Sequence, residues 1–107
     1  MHITDQFING VLVVGIHGRL DGTNANQVET YLSKAIDDGH TKLVLELSEL
    51  EYISSIGLRV FLAMGKKVSK TGYIRLAALQ PQVFDVFHMS GFDTIFQIFN
   101  NAEDAVV

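Results

Sequence analysis

The run Lys42-Leu43-Val44-Leu45-Glu46-Leu47 constrains the fold more than any other part of the chain. Its apolar residues alternate only in part, so both faces of this strand need cover, as in a central strand. A short acidic connection leads from it into a second apolar pattern with a different period. Ile56, Val60, Phe61, Met64 and Val68 recur at three- and four-residue spacing, which predicts a helix from about Ser55 to Lys70 stopped by Gly72. A buried strand followed by an amphipathic helix is the repeating unit of α/β folds, and it implies right-handed crossovers between parallel strands.

The remaining segments extend that unit in both directions. Ile3 to Phe7 and Val11 to Ile16 flank Asn9-Gly10, a dipeptide that tolerates positive φ and predicts an antiparallel hairpin. Gly18 to Gly22 reads as a loop. Thr23 or Asn24 is expected to cap a helix whose buried face is Ala25, Val28, Leu32, Ala35 and Ile36 and whose end is Gly39. A further strand is expected over Tyr73 to Leu79. Pro81 then opens a helix that buries Val83, Phe84 and Phe87 and closes at Ser90-Gly91. Ile95 to Phe99 predicts the last strand, and Asn101 caps a short terminal helix. Phe92, Phe96 and Phe99 are expected in the core. The expectation is one α/β domain over residues 1–107: a mixed, mostly parallel sheet of about five strands, an N-terminal β-hairpin and three to four helices.

Composition removes several function classes. At 107 residues the chain supports one core. The net charge is −4 and the basic residues are scattered, which argues against nucleic acid as a partner. Lys66, Lys67 and Lys70 form the one basic cluster and read as the solvated face of a helix. Without cysteine there is no disulfide, thiol chemistry or Cys-based metal site. No apolar run is long enough for a membrane span and the first residues do not resemble a signal peptide, so no membrane and a cytoplasmic location are expected. His2, His17, His40 and His88 have no metal-ligand spacing, and no phosphate-binding glycine loop or nucleophile elbow occurs. Asp37-Asp38 and Glu49 with Glu51 read as solvated carboxylates. No catalytic residue, metal or cofactor is expected.

The one constellation left is Tyr52-Ile53-Ser54-Ser55-Ile56-Gly57-Leu58-Arg59, which places two hydroxyls at a strand-to-helix junction. A helix N-terminus has unpaired N–H groups and a partial positive charge. A hydroxyl there can cap the helix, or it can carry a phosphate in a favourable field. No Glu or Gln stands three residues on to complete a capping box. Gly57 costs about 1 kcal/mol against Ala inside a helix, and it leaves the backbone open to close approach by another molecule.

Leu47 to Leu58 resembles the central motif of STAS-domain proteins, the bacterial anti-sigma-factor antagonists: an apolar strand, a short acidic connection, an aromatic or apolar pair, then Asp-Ser-(Ser/Thr)-Gly-Leu. Gly18-Arg19-Leu20-Asp21 is similar to that family's Gly-x-Leu/Ile-Asp loop, and Phe84 to Phe92 is similar to its late helix and turn. The three pieces occur in the family's order and span essentially the whole chain. Two positions depart from the pattern. Ser54 stands where the family has Asp, and Ile56 stands at the second hydroxyl.

The resemblance implies a regulator rather than an enzyme. In that family the serine after the Asp is phosphorylated by a partner kinase that is also the anti-sigma factor, and that position is Ser55, with Ser54 the second candidate. The implied partner is a serine kinase that supplies ATP and magnesium, joined by a phosphatase that removes the phosphate. The expected contact surface is Asp21, Ser54, Ser55, Gly57, Leu58 and Arg59, bordered by Met89 and Ser90. Leu58 could equally be core, Arg59 simply solvated, and Asp21 a loop or cap residue. The alternative is a non-switching STAS scaffold subunit of a larger signalling or transport assembly.

Overall fold

The computed structural model describes residues 1–107. Strands β1 (His2–Ile8) and β2 (Val11–Leu20) form the expected antiparallel hairpin. Asn9 and Gly10 turn it with φ of 51° and 78°, the positive values that a two-residue hairpin turn requires. Helix α1 (Ala25–Asp37) leads to β3 (Lys42–Glu46), and β4 (Leu50–Ile53) leads to α2 (Ser55–Val68). Then come β5 (Tyr73–Ala77), α3 (Pro81–Met89), a 3₁₀ turn (Phe92–Thr94), β6 (Ile98–Phe99) and α4 (Ala102–Ala105).

The sheet runs β1-β2-β3-β5-β6, with every pairing after the hairpin parallel and β4 paired to β2 beside β3. It therefore has six strands where about five were expected. The extra one is β4, read from sequence as a mere connection. It lies along the end of β2, so β2 continues to Leu20 instead of giving way to a loop at Gly18. Leu12 to Gly15 pair with β3, and Gly18 to Leu20 pair with β4, with a bulge between Gly18 and Arg19. Gly18 takes φ of 95° at this change of partner.

The side-chain period of two explains the uninterrupted apolar run of β2. Leu12, Val14 and Ile16 face the main core with Leu43, Leu45, Val28, Leu32, Phe61, Val83 and Phe87, beneath α1, α2 and α3. Val11, Val13, Val44 and Ala77 face the other side, where Ala105 and Val106 of the α4 segment cover them. The expected double-sided burial of β3 follows from this arrangement. Arg75 of β5 ties the α4 cover down by donating from Nη1 to the Ala105 carbonyl at 2.9 Å.

Three details of the helices and the last strand differ from the sequence reading. Ile56 is 46% exposed, because the buried face of α2 is Gly57, Leu58, Val60, Phe61, Met64 and Val68. Phe84 is 38% exposed and stacks on His88, since only Val83 and Phe87 point from the short α3 into the core. The predicted strand at Ile95 to Phe99 is reduced to Ile98–Phe99, because the 3₁₀ turn consumes the approach and sends Phe96 inward.

Gly72 marks a close crossing of backbones. Tyr73 N–H donates to the Thr41 carbonyl at 2.8 Å, and a β-carbon on Gly72 would fall well inside contact distance of that same oxygen. Gly39 is glycine for a different reason: its φ is 96°, with open space around it. Gly72→Ala must force β3 and β5 apart and is expected to cost about 3 kcal/mol, the upper end for overpacking. Gly39→Ala is expected to cost about 1 kcal/mol through backbone conformation alone. Urea unfolding of the two variants checks that order.

Candidate functional site

The ends of β2 and β4 bring the two halves of the site together. Leu20 pairs with Ile53, and Ser54 N–H donates to the Leu20 carbonyl at 2.9 Å. The residue after each strand is therefore Asp21 on one side and Ser54 on the other. One register step earlier, the Arg19 guanidinium lies 4.2 Å from the Tyr52 ring centroid, a cross-strand cation–π pair that stiffens this end of the sheet.

The Asp21 loop is pinned by its own side chains. Thr23 donates to Asp21 Oδ1 twice, from its amide at 2.9 Å and from its hydroxyl at 2.6 Å. These bonds favour the carboxylate and lower the Asp21 pKa below its ordinary value. A lowered native pKa stabilises the loop above the unfolded value of 3.8 and loses that contribution as pH falls through the native one, so the carboxylate is charged at neutral pH. Asn24 is the N-cap of α1, yet its side chain turns away from the helix. Its Oδ1 accepts from Asp21 N–H at 3.0 Å and its Nδ2 donates to the Arg19 carbonyl at 2.8 Å, holding the loop to β2.

At the start of α2 the two serines have separate tasks. Ser54 is the N-cap, with extended backbone, and its Oγ accepts from Gly57 N–H at 3.3 Å. Ser55 is the first helical residue. It is exposed, and its hydroxyl takes part in no hydrogen bond within the chain. Ile56, also exposed, reaches across to the Asp21 loop, where its Cδ1 would stand 3.1 Å from a β-carbon on Gly22. The free hydroxyl, an apolar ridge and an ionised carboxylate loop thus form one continuous surface.

Three comparisons with known proteins match the chain as a whole. The STAS domain model fits residues 2–105. The chain belongs to the STAS-domain family. Among the curated relatives of this STAS domain, BtrV of Bordetella bronchiseptica is 40% identical over 106 residues, covering 98% of this chain and 91% of BtrV. The anti-sigma-F factor antagonist RsfB of Mycobacterium tuberculosis is 30% identical over 98 residues, covering 92% of this chain and 80% of RsfB. The crystal structure of an anti-sigma factor antagonist from Mycobacterium paratuberculosis superimposes with a TM-score of 0.90 at 27% identity, covering 98% of this chain and 90% of that one.

The STAS domain does not bring every expected contact residue to one surface. Asp21, Ser54 and Ser55 adjoin, and Arg59 is exposed one turn along α2. Leu58 is 5% exposed and belongs to the main core, so it offers no side-chain surface. Gly57 is buried as well. A β-carbon there would meet Ile53 Cγ1 at 2.8 Å and Leu20 Cγ at 2.9 Å, so the glycine lets α2 start close against the β2–β4 pair rather than admitting another molecule. Met89 and Ser90 are exposed but end α3, whereas Ser55 begins α2. The chain just beyond Met89 and Ser90 seats Phe96 against Gly65, in the later turns of α2 and ten residues on from Ser55. The side chain missed from sequence is Ile56. Its signal was present in the apolar residue standing at a family hydroxyl position, next to the phosphoacceptor candidate.

The division between the serines is measurable without any partner. The cap bond of Ser54 is slightly long, so Ser54→Ala is expected to lose about 0.5–1 kcal/mol, the lower part of the range for cap removal. Ser55→Ala is expected to stay within about 0.5 kcal/mol of the parent. Urea denaturation of both variants checks this.

Proposed function

We propose that this STAS domain is an anti-sigma-factor antagonist that acts by partner switching, with Ser55 as its phosphoacceptor. In the unmodified state the surface formed by Ser55, Ile56, Arg59 and the Asp21 loop docks on a serine kinase that is itself the anti-sigma factor, and that kinase releases its client. The kinase supplies ATP and magnesium. In the transfer step the Ser55 Oγ–phosphorus bond forms as the bond from the γ-phosphorus to ADP breaks, and the hydroxyl proton passes to a base of the kinase. A phosphatase resets the chain by hydrolysis. This chain is substrate and ligand throughout.

The observation that carries the reading is the freedom of the Ser55 hydroxyl. It is exposed in the first turn of α2, where a phosphate meets the positive end of the helix, and it is spared from capping because Ser54 performs that task. Ser54 is the weaker candidate on the same ground: modifying its Oγ removes the acceptor of the cap bond.

Magnitudes decide the direction of the switch. Phosphorylation adds a charge of about −1.5 to −2 at neutral pH. On the free protein the helix N-terminus favours that charge by about 0.3–1 kcal/mol, so the fold tolerates it. In a docked interface the same charge without a partner costs about 2–5 kcal/mol. The interface penalty is the larger, and it weakens binding by roughly 30-fold to a few thousandfold.

The test is incubation with the candidate kinase and ATP, followed by intact mass and fragment mapping, beside binding of Ser55→Ala and Ser55→Asp baits. The expected result is one added phosphate on Ser55 in the parent and none in Ser55→Ala. Ser55→Ala should retain kinase binding, while Ser55→Asp loses it with an unchanged circular dichroism spectrum. A Ser55→Asp protein that unfolds, or a phosphate that maps elsewhere, contradicts the proposal.

A further inference from the structure

Of the lysines and arginines in the helices, Arg59 and Lys66 are left without an ion pair, and only Arg59 lies within one turn of Ser55. Lys34 pairs with Asp38 at 3.2 Å, and Lys67 pairs with Asp37 at 2.9 Å while donating to Ser33 Oγ. Arg59 enters no ion pair or hydrogen bond within the chain, although it is exposed and lies in mid-helix, where an acid three or four residues away commonly answers a cation. The positions at that spacing are Ser55, Ile56, Leu62 and Ala63, all uncharged. Of these, only Ser55 can acquire charge.

Resting on the reading of Ser55 as phosphoacceptor, we propose that Arg59 is the intramolecular receptor of the Ser55 phosphate. The two residues stand at i and i+4 with the anion nearer the helix N-terminus, the orientation in which such pairs are most favourable. A guanidinium offers two parallel N–H donors to two phosphate oxygens, which a lysine does not. The neighbouring charges cannot serve in its place. Arg19 is committed to the Tyr52 ring on β4, Asp21 is an anion, and Glu51 on β4 is another. Gly57, between the two partners, is buried on the opposite side of the helix and leaves the path along the exposed face open.

The pairing gives phosphorylation a second consequence at the docking face. It adds an anion at Ser55, and it withdraws the Arg59 cation from any acidic group of the kinase. One modification therefore removes an attraction as well as introducing a repulsion.

The test uses the full chain with phosphoserine incorporated at position 55 during synthesis, so that no kinase is needed. The readout is the second ionisation of the phosphate by phosphorus NMR in the parent, Arg59→Gln and Arg59→Lys. Asp21, Glu51 and Arg19 are common to all three and cancel in the comparison. The parent is expected to titrate about 0.3 pH unit below Arg59→Gln at low salt, the size of an exposed i,i+4 pair converted at 1.36 kcal/mol per unit. Arg59→Lys is expected to fall between them, and the difference should vanish in molar salt. Equal titrations of the parent and Arg59→Gln overturn the proposal. Failure of any kinase to modify Ser55 falls instead on the functional reading and leaves this titration unaffected.

Discussion

The site depends on the parallel pairing between the last residues of β2 and the short strand β4. The Leu20–Ile53 step and the Ser54 N–H bond to the Leu20 carbonyl place two chain segments, far apart in sequence, side by side at one end of the sheet. Every part of the proposed docking surface is attached to that junction. The Asp21 loop leaves it on one side and α2 leaves it on the other. Gly57 allows the helix to begin there, because the space a β-carbon would need is already filled by Leu20 and Ile53. A glycine that costs helix propensity is retained for close packing, and the first turn of α2 is fixed against a rigid support.

Rigid support matters because the proposed signal is small. A phosphate on an exposed serine gains at most a kilocalorie or so from the helix end and about half that from a pairing along the helix. Neither quantity is large enough to refold a domain whose core buries Leu and Phe side chains completely. The same charge is large on the scale of an interface. A switch of this design works by leaving its own structure unchanged and altering what can dock on it. The assignment of capping to Ser54 serves the same end, since the helix start is held by one hydroxyl while the neighbouring one stays free for modification.

Most of the architecture was legible in the sequence because its signals are strong physical ones. The hairpin turn at Asn9-Gly10, the stripe from Ala25 to Ile36 and the double-sided strand at Leu43 to Leu45 each express a steric or burial constraint that few other conformations satisfy. The features that escaped are those decided by tertiary pairing. β4 is four residues long with an acid inside it, too short for a period to emerge, and only its partner β2 makes it a strand. Ile56, expected in the buried stripe, is exposed, and Leu58, left open between surface and core, is buried, because the helix is rotated to seat Gly57 on Leu20, a contact invisible to a helical stripe read in isolation. Met89 and Ser90 were placed near the site by motif likeness, whereas the direction of α3 carries them away from it.

The central claim is that a phosphate on Ser55 acts locally, on a surface, and leaves the fold beneath it intact. Amide proton–nitrogen spectra of the unmodified chain and of the chain carrying phosphoserine at position 55 test this most directly. The account predicts shifts confined to residues 55–59 and the Asp21 loop, with β3, β5 and α3 unchanged. Shifts spreading through those elements, or a loss of dispersion, would show that the modification works by disturbing the core, and would contradict the account.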